Sequence, residues 1–212
     1  MSRVPPIPGP EGVPSSQFAA AYGADSAAWC IGRPQPVVVD VLARGWLSRG
    51  PILDAGCGSG ENLVEIAACR PGLEIIGVDL VDLAIERARA LVRESGLESR
   101  VRLETGDLGK ACPDGRFGSV LDAGVLHVFS DRERRSYLAG LHEALEPGGE
   151  LVVIVFSDAE KSPGGPRRLG REELSDCLET ADFKVVDFET CRYDTTRHAE
   201  GARAWLVRSH RS

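Results

Sequence analysis

The sequence predicts a single α/β domain in which seven mostly parallel strands, the last running antiparallel, carry helices on both faces. Three observations lead there. Short apolar runs rich in Val, Ile and Leu alternate with longer amphipathic stretches, the rhythm of parallel strands joined by helical crossovers. A chain of 212 residues has room for one well-buried core and is short for two. No repeat or low-complexity linker interrupts residues 21–212, the expected domain, whereas 1–20 are expected to be a flexible N-terminal arm, opening on the proline-rich MSRVPPIPGPEGVPS.

In chain order, apolar helical spacing over Pro36–Leu47 predicts a leading helix. Strands follow at Pro51–Asp54, Leu73–Asp79, Val101–Glu104, Ser119–Asp122 and Glu150–Phe156, with helices at Glu61–Cys69, Leu83–Ser95 and Arg132–Leu145. Pro147-Gly148-Gly149 ends the last of these helices, and Lys161 to Pro166 is a long loop. A helix over Arg171–Ala181 precedes strands at Lys184–Phe188 and Ala202–Val207. Glu189 to Gly201 has no helical pattern, so the final strand is expected to return antiparallel at the sheet edge.

Composition narrows the function. With 42% hydrophobic and 27% charged residues, and no apolar run near the roughly 20 residues a membrane helix needs, the chain reads as a globular, non-membrane protein. The opening lacks the apolar core of an export signal, so a cytoplasmic location is expected. Six scattered cysteines without a C-x-x-C pair predict reduced thiols and no metal. A net charge of -7 without a dense basic stripe disfavours nucleic acid and leaves a small molecule as the expected partner of a monomer or homodimer.

The chemistry concentrates at strand ends. In ILDAGCGSGENL, Gly56, Gly58 and Gly60 fall between a strand and a helix, where glycine permits a sharp turn and the helix start offers free N–H groups to an anionic ligand group. Asp79 closes the second strand at the distance where a carboxylate can accept from ribose hydroxyls. Asp107, just past the third strand, could accept from an adenine amino group, with Leu108 flanking the ring. Together these features point to a nucleoside. Dinucleotide enzymes share strand, turn and acid, but their spacing is G-x-G-x-x-G where this chain has G-x-G-x-G, and no separate substrate domain is visible; an NAD-dependent oxidoreductase is the alternative.

The stretches LDAGCGSGENLVEIA, IIGVDLVDLAIERARA, LETGDL and LEPGGELVVIVF resemble the class I S-adenosylmethionine (SAM) dependent methyltransferases over roughly residues 30 to 210. AWCIGRPQPVVVDVL, SVLDAGVLHVFSD and GGPRRLGREEL look most like the small thiopurine, thiol and halide methyltransferase-like enzymes. The resemblance implies a Rossmann-like sheet, SAM as methyl donor and S-adenosylhomocysteine as by-product. It implies that Asp54 and the backbone at Gly56, Gly58 and Gly60 fix the methionine end, that Asp79 holds the ribose with Leu80 beside the adenine, and that Asp107 and Leu108 hold the base. Trp29 and Arg33 would sit in an N-terminal cover. The family pattern has Trp-Asp where this chain has Trp29-Cys30, and Phe-Asp where it has Phe117-Gly118; the first departure bears on the cover and the second on loop packing.

A sulfonium is already an activated methyl donor, so catalysis mainly requires alignment and exclusion of water. For an acceptor that must lose a proton, His127 is the base best placed by sequence, with Asp122 positioned to orient it or the sulfonium. Arg167, after the Gly164-Gly165-Pro166 turn, could pair with an acidic substrate group. A silent SAM-binding regulatory protein is a further alternative. The resemblance tilts the acceptor toward a thiol, thiocarbonyl or phenolic heteroaromatic, in secondary metabolism or detoxification.

Overall fold

The computed structural model describes residues 11–212. Two short helices, α1 (Ser15–Gly23) and α2 (Pro36–Ala43), precede β1 (Ile52–Ala55), α3 (Glu61–Cys69), β2 (Ile75–Asp79), α4 (Asp82–Glu94), β3 (Val101–Thr105) and β4 (Phe117–Ala123). A 3-10 turn at Leu126–Val128 leads into α5 (Asp131–Ala144), then β5 (Leu145–Phe156), α6 (Arg171–Thr180), β6 (Phe183–Thr195) and β7 (His198–Arg211). Among the described residues no helix is long and apolar enough to cross a membrane.

The seven strands lie in the order β3-β2-β1-β4-β5-β7-β6. β1 to β5 pair in parallel, and β7 runs antiparallel to both β5 and β6. The seven-stranded sheet with a reversed last strand is as expected, but β7 is not at the edge: it inserts between β5 and β6. Burial explains the placement. Ala202, Ala204, Leu206 and Val207 of β7 are buried, whereas Phe183 and Tyr193 are the buried residues of β6. The hairpin is also much longer than the two apolar runs, because its outer half is held by ladder hydrogen bonds rather than by an apolar pattern.

Alternation along the strands feeds two cores. Ile52, Ile75, Leu121 and Val152 point to the face covered by α2, α3 and α4. Leu53, Ile76, Val120 and Val153 point to the face covered by α5 and α6. The expected α3 to α6 are present to within a residue of their bounds, and α2 is shorter, ending at Ala43.

The expected flexible arm requires correction over its described part. Residues 1–10 lie outside the described residues, but Ser15–Gly23 is helical, and Tyr22 is buried in a small cluster with Ala27, Val81 and Ala84, against which Phe18 and Trp29 pack. The helix is held by this tertiary contact, which the weakly amphipathic SSQFAAAYG does not advertise.

Candidate active site

The strand order reverses between β1 and β4, which places a crevice beyond the carboxyl ends of those two strands. Ala55 of β1 pairs with Val78 of β2 and with Asp122 of β4, so the glycine turn, Asp79 and the end of β4 converge there. Gly56 and Cys57 donate their N–H groups to the Val78 carbonyl at 2.8 and 3.0 Å, and Gly60 donates to the Cys57 carbonyl at 3.0 Å. Gly56, Gly58 and Gly60 have φ of 70°, 56° and 94°. A side chain at Gly56 would run into Val125, and one at Gly60 would press on Ala88 of α4 at 3.0 Å, so bare backbone faces the crevice. Gly60 caps α3 without a side-chain acceptor, leaving helix-start N–H groups free.

The acids around this turn differ in how they are satisfied. Asp79 accepts from Gly58 N at 3.0 Å through Oδ2 and from Val81 N at 2.9 Å through Oδ1. Asp54 is buried, and its Oδ2 has no hydrogen-bond partner. Burial, then the charges of Asp79, Asp122 and Glu61, push the Asp54 carboxyl up to about 8. Burial also raises Asp79, against the lowering by its backbone N–H donors. Leu80, the residue after Asp79, is a large apolar side chain left 38% exposed. Gly106 N donates to the Asp79 carbonyl at 2.9 Å, which brings the β3 loop alongside. There Asp107 accepts from Gly109 N at 3.1 Å and pairs with Lys110 at 2.8 Å, while Leu108 is buried.

Two segments distant in sequence roof the crevice. Trp29 donates from Nε1 to the Tyr22 hydroxyl at 3.0 Å and meets the Tyr22 and Phe18 rings edge-on. The Tyr22 hydroxyl lies 3.0 Å from where a Cβ on Gly58 would be. Cys30 Sγ is 3.5 Å from Ser59 Oγ, so the thiol that replaces the family's Asp touches the glycine turn. Arg33 does not reach the crevice: it pairs with Asp194 of β6 at 2.6 Å, and Gln35 exchanges hydrogen bonds with the Asp194 backbone at 2.8 and 2.9 Å. Thr196 N donates to the Ala28 carbonyl at 2.9 Å, pinning the hairpin tip to the cover. Gly118, the other departure, packs on the Arg49 backbone, where a Cβ would approach within 2.7 Å, so it serves loop packing.

Three expected chemical roles are corrected by their surroundings. His127 is 4% exposed; its Nδ1 accepts from Phe156 N at 2.9 Å, which puts the ring proton on Nε2 and leaves no free lone pair for a substrate proton. Burial, then the Arg168 charge, lowers its imidazole to about 3. Asp122 is spent on the turn after β4: it accepts from Gly124, Val125 and Leu126 N–H groups and from the Tyr137 hydroxyl at 2.9 Å. Burial raises that carboxyl to about 6 despite these donors. Arg167 is locked between Asp131 and Glu173, a carboxylate pair it shares with buried Arg134.

What the sequence reading missed is the use of the tyrosines. The chain has three. Tyr22 roofs Gly58, Tyr137 holds Asp122, and Tyr193 donates to the Ala123 carbonyl at the end of β4 at 2.9 Å. Their scarcity was the available signal.

The arrangement is short of positive charge. A pyrophosphate would face Asp54, Asp79, Asp122 and Glu61, whereas a cationic ligand would relieve them. Bare glycine backbone, a partnerless buried carboxylate oxygen and an exposed leucine beside Asp79 fit SAM, with its ammonium, sulfonium and adenosine. Fold and site thus define the arrangement of a SAM-dependent methyltransferase. Residues 52–149 match the model of the methyltransferase domain. Among curated relatives, the chain is 31% identical over 153 residues to the 2-heptyl-1-hydroxyquinolin-4(1H)-one methyltransferase of Mycobacteroides abscessus, covering 71% of this chain and 66% of that one. It is 25% identical over 172 residues to the probable thiol methyltransferase 2 of Arabidopsis thaliana, covering 81% and 75%. A solved structure from work on conversion of a disulfide bond into a thioacetal group during echinomycin biosynthesis superposes with a TM-score of 0.80 at 27% identity, covering 94% and 93%.

Proposed function

We propose that the protein methylates a small acceptor, a thiol or a hydroxylated heteroaromatic, in secondary metabolism or detoxification. The observation that carries the reading is the partnerless Asp54 oxygen beside three glycines held at positive φ. The acceptor class is supported by the relatives that act on a hydroxyquinolone and, by name, on thiols. It is also supported by the roof, in which the cover and the hairpin meet over the crevice and suit a small substrate better than a macromolecule.

Bound here, SAM supplies a methyl group already activated on a sulfonium. Asp54 and the N–H groups of the glycine turn hold the methionine end, Asp79 the ribose, and Leu80, Asp107 and Leu108 the adenine. Trp29 and Tyr22 exclude water above the turn. Arg33 acts by bracing the cover on Asp194. No side chain is required as a proton acceptor for a thiolate or an ionised hydroxyl, consistent with the sequestration of His127, and alignment supplies the rate enhancement.

The test is calorimetric titration with SAM, S-adenosylhomocysteine and NAD, followed by a search for S-adenosylhomocysteine release with small thiols and alkylated hydroxyquinolones. Binding of the first two and turnover with such an acceptor is the expected result. Binding of NAD alone would overturn the reading, and SAM binding with turnover on neither class would overturn the acceptor assignment.

A further inference from the structure

The acids at the glycine turn differ in a way that bears on how the donor is taken up. Both oxygens of Asp79 accept backbone N–H groups, and both oxygens of Asp122 accept from the turn or from Tyr137. Asp54 Oδ2, buried on the central strand, accepts from nothing. A carboxylate in that position would be an ionised oxygen facing other acids without a donor, which is costly out of water. A carboxylic acid avoids the cost.

The groups that act on Asp54 come from every element around it. They are Asp79 at the end of β2, Asp122 on β4 and Glu61 in the first turn of α3, with Cys57 of the glycine turn, Tyr137 of α5 and Tyr193 of β6 also coupled to it. No basic side chain is among the charges that shift it.

We propose that Asp54 gives up a proton when the protein takes up SAM, its carboxylate forming as the ligand's ammonium arrives to supply the missing partner. This rests on the reading of the crevice as the SAM site. The exchange balances simply: the carboxyl O–H bond breaks, the proton passes to buffer, and the new charge is neutralised by the ammonium. With half-ionisation near 8 in the free protein, Asp54 is about nine-tenths protonated at pH 7. Donor affinity therefore falls roughly tenfold for each pH unit below neutrality.

The test is calorimetry on the full chain at pH 7 in two buffers of different protonation enthalpy, with SAM and with S-adenosylhomocysteine, which keeps the ammonium and lacks the sulfonium. The expected result is release of close to one proton per ligand for both, and a roughly tenfold rise in Kd between pH 7 and pH 6. In Asp54→Asn, with its melting transition retained, the release should vanish and the affinity become flat over that range; if that variant does not fold, the two-buffer comparison on the natural protein decides by itself. SAM binding with no proton release would overturn the inference and leave the site assignment standing. Undiminished release in Asp54→Asn would overturn it too, and release with SAM alone would overturn the assignment to the ammonium. Failure of SAM to bind would instead overturn the reading of the crevice.

Discussion

Replacing Asp122 with alanine separates two jobs a strand-end acid can have. In the fold this fully buried carboxylate accepts from Gly124 at 3.1 Å, Val125 at 2.7 Å, Leu126 at 3.0 Å and the Tyr137 hydroxyl at 2.9 Å. Alanine leaves those donors without an acceptor, and each unsatisfied buried group costs about 1–3 kcal/mol. Local rearrangement will rescue some of them, so about 4 kcal/mol is the working figure. For a chain of this size about 2–4 °C is lost per kcal/mol, which gives a fall in Tm of about 8–16 °C. Tyr137→Phe removes one donor and leaves the carboxylate, so about 1 kcal/mol and a few degrees are expected. Differential scanning calorimetry of both variants is the assay, alongside SAM affinity at a temperature where both are folded. An Asp122→Ala protein that melts within about 3 °C of the parent but has lost methyl transfer would refute the capping argument and restore Asp122 to the reacting centre.

Gly56→Ala forces a Cβ into Val125 at a φ of 70°; a stability loss of about 2 kcal/mol and at least tenfold weaker SAM binding are expected, read by denaturant unfolding and calorimetry. His127→Gln should leave the pH dependence of methyl transfer unchanged, and loss of one ionisation from the rate profile would show that the ring is the base after all. Arg167→Ala should lower Tm while leaving the acceptor KM within about twofold, since its charge is spent on Asp131 and Glu173. Stability of the ligand-free protein should fall as pH rises above about 6.5, whereas below that the His127 and Asp54 contributions oppose each other. His127, lowered to about 3, keeps the fold from binding a proton that the unfolded chain takes up, so stability is lost as pH falls below the usual 6.5. Asp54 has the opposite sign: raised from 3.8 to about 8, it holds a proton the unfolded chain has released, and stability is lost as pH rises through that window. Between pH 6.5 and 8 this is about 2 kcal/mol in urea unfolding, and Asp54→Asn should abolish it; an unchanged slope would refute the assignment.

The legible parts of the fold were those dictated by local chemistry. Gly56 and Gly60 could be read because a turn with positive φ and close neighbours tolerates nothing larger, and α5 could be read from its apolar spacing, which buries Tyr137, Leu138 and Leu141. The position of β7 was hidden because both hairpin strands carry apolar runs, and only their relative burial in the assembled sheet decides which lies inside. His127 and Arg167 were misread for one reason: the Phe156 N–H and the Glu173 carboxylate that occupy them come from other elements, and a sequence motif does not display its tertiary partners. Tyr22 was hidden because its helix owes its existence to Trp29 and α4 rather than to its own pattern.

The bonds from Arg33 and Gln35 to Asp194 join positions 161 and 159 residues apart. Closing so long a stretch of chain gains nothing until the sheet between them exists, so these bonds belong to the last stage of folding. The same contacts, made at the rim by a half-exposed arginine, are the natural first ones to open in the native state. Hydrogen exchange should then find the cover and the hairpin tip opening together while β1 and β4 stay protected, giving ligands a way in that leaves the sheet intact.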